Sequence, residues 1–159
     1  ERYPFFTSSS EYMKLHFSEY AKFIKKNYLK NNSKIIEIGS NDGTFLKNFK
    51  DNNLDFIGFE PSANVAKMAI KQGIKTKNSF FNTETIESIK EFTNNTDVIF
   101  AANVICHIPN LVDLIKAVEK LLSNKLFVVY PKSLNIFSDT KGIIGLIRFK
   151  IFAKIKLKL

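Results

Sequence analysis

From residue 8 to about residue 29, apolar side chains return every three or four positions, as Tyr12, Leu15, His16, Tyr20, Phe23, Ile24 and Tyr28. That period predicts one helix with these residues on a broad buried face. Ser8 stands three residues before Glu11, the spacing of a capping box, and marks the start. After Asn31-Asn32-Ser33 the period changes. Short apolar runs at 35–38, 54–59, 98–101 and 126–130 predict strands, with 74–76 as a weaker fifth. Between them, residues 44–50, 62–72, 83–92 and 111–122 carry helix-spaced apolar positions. Regular alternation of strand and helix predicts an α/β fold: a doubly wound, mostly parallel sheet joined by crossover helices. The fifth-strand side of such a sheet is expected to present an open edge.

Three segments follow: an N-terminal helical segment (1–30), a ligand-binding core (31–136) and a basic apolar tail (137–159). Composition changes little within the core. The net charge of +9 is uneven, because Lys141, Arg148, Lys150, Lys154, Lys156 and Lys158 face no acid within residues 141–159. A body at +3 gives no basic groove, so no nucleic-acid partner is expected. The tail reads as a basic amphipathic helix, with peripheral membrane contact as an alternative role, or as a poorly specified end. Its apolar residues are placed to cover part of the open edge. One cysteine, Cys106, allows no internal disulfide and reads as a small buried residue; a reducing, cytoplasmic setting is the expectation. Neither a signal peptide nor an initiator Met stands at Glu1-Arg2-Tyr3-Pro4, and the chain is expected to be a fragment.

In a parallel sheet, ligands bind beyond the carboxyl ends of the strands at the switch point, which directs attention to Glu37-Ile38-Gly39-Ser40-Asn41-Asp42-Gly43. Glycine at 39 and 43 permits backbone angles and close approaches that a Cβ forbids, and a helix after the turn would offer free N–H groups. The spacing Glu-x-Gly-x-x-x-Gly is not the Gly-x-Gly-x-x-Gly of a pyrophosphate cradle. An acid two residues before the glycine suits a ligand with a cationic amine and sulfonium, which S-adenosylmethionine has. Glu60, 17 residues past Gly43, ends the second strand and is placed to accept both ribose hydroxyls. Pro61 fits the first turn of the next helix. Ser79-Phe80-Phe81-Asn82 follows the third strand, with Phe80 and Phe81 read as an adenine wall or as core packing. Beyond the fourth strand, Ala102 and Asn103 lie beside the donor. His107 is read either as a proton-transfer group or as a helix-start histidine bonded to backbone.

Taken together, Phe6-Thr7-Ser8-Ser9-Ser10, His16, the Glu37–Gly43 string, Gly58-Phe59-Glu60-Pro61-Ser62 and Asn103-Val104-Ile105-Cys106-His107-Ile108 resemble the sugar C-methyltransferase family over about residues 3–136. The resemblance implies a class I methyltransferase core, Rossmann-like, using S-adenosylmethionine. It implies carbon methylation of a nucleotide-linked keto-deoxysugar, a small-molecule substrate; Asn103 and His107, by their place beyond the fourth strand, are the candidate catalytic residues. Relatives of that kind carry a cysteine-rich zinc module before this region. After the fifth strand they add an antiparallel pair and a Tyr-His-Glu-His-like segment supplying the base. Here Ser138-Asp139-Thr140 leads instead into Lys141-Gly142-Ile143-Ile144. Other readings are a methyltransferase for another small molecule, protein or RNA, a non-catalytic donor-binding protein, and a nicotinamide-dependent oxidoreductase.

Overall fold

The structure is a computed structural model that describes residues 3–50, 53–130 and 146–147. Parallel strands β1 (Lys34–Ile38), β2 (Asp55–Phe59), β3 (Thr76–Lys77), β4 (Thr96–Ala102) and β5 (Leu122–Tyr130) lie in the order β3-β2-β1-β4-β5. A sixth strand, β6 (Leu146–Ile147), runs antiparallel on β5, Leu146 opposite Val128 and Ile147 opposite Phe127. The edge expected to be open is therefore paired at these two positions, because the chain returns to β5 inside the segment read as tail. The rest of the tail, with its lysines and the proposed amphipathic helix, lies outside the described residues. None of the described helices is long and apolar enough to cross a membrane.

Connections leave β1 to one side and reach β4 from the other, which makes the β1–β4 gap the switch point. On one face, Ile35, Val98 and Phe100 pack under α1 (Glu11–Tyr28), α2 (Ala63–Lys71) and a 3₁₀ segment at Leu46–Phe49. On the other, Ile36, Ile38, Ile99 and Ala101 meet α3 (Leu111–Leu121) and a long 3₁₀ segment at Thr85–Phe92. Alternation in β1 thus decides which core each isoleucine enters.

Helix α1 begins later than expected. Ser10, not Ser8, is the cap: its Oγ accepts the Met13 N–H at 3.3 Å, while Ser8 sits in a preceding 3₁₀ turn, Thr7–Ser9. The buried face also differs, carrying Phe17, Tyr20, Ala21 and Ile24, while Tyr12 and Leu15 are 60% and 63% exposed. Phe17 selects this face by meeting Phe45 and Phe100 edge-on, at 5.6 and 6.1 Å between centroids. Since α1 leads into the amino end of β1, its own first turns lie at the carboxyl rim of the sheet.

The helix expected at 44–50 is a run of turns closing in the 3₁₀ segment. Asn48 explains it: its Nδ2 donates to the carbonyls of Thr44 and Phe45, at 3.1 and 2.9 Å, engaging acceptors that an α-helix would use. The helix expected at 83–92 is likewise 3₁₀, kinked at Ile89, with Ser88 Oγ donating to the Thr85 carbonyl at 2.6 Å.

Candidate functional site

Glu37 lies one residue before the end of β1, on the face shared with Ile35, and has Gly58 and Phe100 as register partners. Its side chain is buried, and Oε2 has no hydrogen-bond partner. Burial first, then the charges of Asp42 and Glu60, push its carboxyl well above the usual carboxylate range. A buried acid beside two others leaves an uncompensated site for positive charge.

The turn that follows holds Gly39 at φ +69°, Asn41 at +49° and Gly43 at +80°. The expected close approaches are to side chains of this chain. A Cβ on Gly39 would meet Val104 Cγ2 at 2.7 Å, and one on Gly43 would meet Ile74 Cγ1 at 2.8 Å. Both glycines are thus required by backbone and packing, and neither opens a cavity by itself. Ser40 turns its buried hydroxyl into the space that a Cβ on Gly58 would fill, and its Oγ has no partner.

Glu60 is buried and joins two loops: Oε2 accepts the Asn41 N–H at 3.0 Å, and Oε1 accepts the Ser62 N–H at 2.8 Å. Each oxygen keeps a second acceptor position. Pro61 is not in the first helical turn, because Ser62 is the cap position and α2 starts at Ala63; its carbonyl accepts from Asn78 Nδ2.

Asn41 was expected among the ligand contacts, yet its side chain is engaged within the chain. Its Oδ1 accepts the Thr7 and Asp42 N–H groups, each at 2.9 Å, and its Nδ2 donates to the Phe5 carbonyl at 3.2 Å. Asp42 Oδ2 accepts the Ser8 N–H at 2.9 Å, and its Oδ1 accepts the Thr44 hydroxyl at 2.7 Å. Partners 34 residues away leave no local trace in the sequence, which is why neither role was legible.

Phe80 and Phe81 have different surroundings. Phe81 is buried edge-on against Phe59, at 5.1 Å, and belongs to the core, whereas Phe80 is 65% exposed. Ser79 Oγ is buried without a partner. Past β4, Ala102 borders the α1-side core, and Asn103, at φ +53°, buries an Oδ1 with no partner. His107 and Cys106 lie in the 3₁₀ turn Ile105–His107, and both are exposed. The reading of Cys106 as buried is therefore corrected: the turn packs Ile105, with Val104 and Ile108 beside it, against the core and leaves Cys106 on its solvent side. His16 is half-buried beside Tyr12, and burial lowers its pKa. Among the described residues no cluster of His, Cys, Asp and Glu is arranged to hold a metal ion.

An open parallel sheet with buried acids at its switch point defines a class of proteins that bind nucleotide-like ligands. Residues 11–137 match the methyltransferase domain family, and the chain belongs to that family. Over 109 residues it is 26% identical to the C-methyltransferase NovU of Streptomyces niveus, a span of 67% of this chain and 26% of that protein. The chain thus spans about a quarter of that relative's length. In three dimensions it is similar to a Methanococcus maripaludis protein assigned to the S-adenosyl-L-methionine-dependent methyltransferases, with a TM-score of 0.63 at 13% identity over 82% of this chain and 66% of that one. It is also similar to the plantazolicin methyltransferase BpumL solved with SAH, with a TM-score of 0.54 at 21% identity over 74% and 46%. These likenesses establish the class I methyltransferase fold.

Proposed function

We propose that the chain binds S-adenosylmethionine at the carboxyl rim of β1, β2 and β4, as the donor-binding part of a methyltransferase acting at carbon. One observation carries the reading: among the described residues, four buried polar atoms without partners, Glu37 Oε2, Ser40 Oγ, Ser79 Oγ and Asn103 Oδ1, belong to the carboxyl ends of the strands or the turns just beyond. Unpaired buried groups cost about 1–3 kcal/mol each, and a bound ligand is what offsets such a cost.

The roles follow from chemistry. Glu37 receives the donor's cationic amine, directly or through water, with Asp42 and Glu60 adding negative potential. Glu60 uses its remaining acceptor positions for the ribose hydroxyls. Phe80 offers an exposed ring to the adenine, and Ser79 a hydroxyl to its edge. Gly39, Ser40 and Gly43 fix the turn, while Ala102 and Asn103 close the β4 side. When bound, S-adenosylmethionine supplies a methyl group on a sulfonium. His107, exposed at the same rim, is the proton acceptor that this chain itself offers, while the resemblance assigns the main base to another segment.

The likeness to a C-methyltransferase, together with the motif resemblance, favours a nucleotide-linked keto-deoxysugar as substrate. Calorimetric titration with S-adenosylmethionine, its demethylated product SAH and NAD tests the donor assignment. The first two should bind and NAD should not. Glu60→Ala should weaken binding by about 1–3 kcal/mol, and unchanged affinity would remove Glu60 from the site. An assay of methyl transfer to a nucleotide-linked 4-keto sugar by residues 1–159 should give little turnover, because the resemblance assigns the base to a Tyr-His-Glu-His-like string that these residues do not carry. Multiple turnovers would instead assign the base to His107 or His16.

A further inference from the structure

We propose that Asn41 and Asp42 are positioning residues that strap residues 3–10 across the glycine turn, and that closure of this strap is coupled to donor binding. The inference rests on the reading of the turn as the donor site. The strap runs from α2 to α1. At its start, Tyr3 and Asn64 exchange two hydrogen bonds, Tyr3 N–H to Asn64 Oδ1 at 3.1 Å and Asn64 Nδ2 to the Tyr3 carbonyl at 2.8 Å. In its middle, the Thr7 and Ser8 N–H groups end on Asn41 Oδ1 and Asp42 Oδ2.

Little apolar burial holds it there. Tyr3 and Phe5 are 46% and 49% exposed, Pro4 and Ser9 are exposed, and Thr7 alone is buried. A segment fixed mainly by a few polar contacts opens at low cost, well below global unfolding. One of its anchors, Asn41, also touches Glu60. Asn41 receives the strap through Oδ1 and gives its own N–H to Glu60 Oε2, so one residue joins Glu60 to Thr7. A ligand that fixes the Glu60 carboxylate therefore fixes Asn41, and through it the strap. By linkage, the factor by which donor binding closes the strap equals the factor by which an unlatched strap weakens donor binding.

Thr7 and Ser8 supply the donor groups, so their amides report the state of the strap in hydrogen exchange. Asn41 is left-handed, so Asn41→Gly removes the latch while keeping the backbone comfortable, and Asn41→Asp keeps the acceptor. Thr7→Pro removes one latch donor from the other side. Phe6 already has φ −113° and ψ 124°, which a following proline favours, and the first position of a 3₁₀ turn suits the ring.

The experiment is amide exchange with and without SAH, alongside calorimetry, on the parent chain and the three variants. SAH should slow exchange at Thr7 and Ser8 in the parent. Asn41→Gly and Thr7→Pro should each raise the SAH dissociation constant about 3- to 10-fold, the size of one or two net hydrogen bonds, and should lose the SAH-induced protection of the strap, read at Ser8 alone in Thr7→Pro, which has no amide proton at position 7. Asn41→Asp should recover most of both. Protection of Phe17 to Ile24 on α1 serves as the folding control; if Asn41→Gly fails it, Thr7→Pro decides. Strap exchange that ignores bound SAH, or parent-like affinity in both latch variants, would overturn the coupling. Absence of SAH binding to the parent would overturn the donor-site reading, and the coupling with it.

Discussion

At the scale of single residues, Glu37 sets stability against function. Folding moves its carboxyl from water into a buried position near two other acids, which opposes ionisation in the folded chain only. Above the ordinary value of 4.5 the unfolded chain loses this proton first, so the folded chain binds more protons and stability falls as pH rises through the raised value. Glu37→Gln removes that loss. The variant should melt at a higher temperature than the parent at pH 7, by about 2–4 °C per kcal/mol gained, and its melting point should vary less with pH above 4.5. Affinity for S-adenosylmethionine should fall in the same protein. A lower melting point at pH 7 would show that Glu37 is ionised and paired when folded. Glu37 and Glu60 were legible in the sequence because strand ends and glycine spacing locate them. The latch roles of Asn41 and Asp42 were not, since nothing near them in the chain announces Thr7 and Ser8.

At the scale of elements, periodicity found α1 and every strand of the parallel sheet, but not which side of α1 faces inward. Apolar residues stand nearly all round this helix, so the choice falls to a distant cluster, Phe45 and Phe100, into which Phe17 fits. Thermal or urea unfolding checks this directly. Phe17→Ala should cost about 3–5 kcal/mol, as for a buried aromatic, while Leu15→Ala should stay within about 0.5 kcal/mol. The reverse order would restore the face first expected. Local chemistry also decided the two 3₁₀ segments, where Asn48 and Ser88 take carbonyls that the period alone assigned to α-helices. Gly58 belongs to this scale too. Gly58→Ala sets a Cβ against Ser40 and Leu46 and should displace the Ser40 hydroxyl, lowering the melting point and donor affinity together. A variant that binds and melts as the parent does would show that Ser40 can turn away freely.

At the scale of the whole molecule, two apolar cores on opposite faces of one sheet hold the strand ends rigidly, and the chemistry gathers at a single rim. That division was readable from the alternation of strands and helices. The antiparallel pairing at Leu146 and Ile147 was not, because a two-residue strand inside a lysine-rich apolar run has no distinguishing period. The central claim, that the rim of β1, β2 and β4 is where a methyl donor sits, is tested most directly by backbone amide NMR of the chain titrated with SAH. The account predicts saturable shifts centred on residues 37–43, 60–62, 79–81 and 102–107. Shifts confined to the amino ends of the strands, around Asn32, Asn53 and Asn95, or no saturable shifts at millimolar SAH, would contradict it.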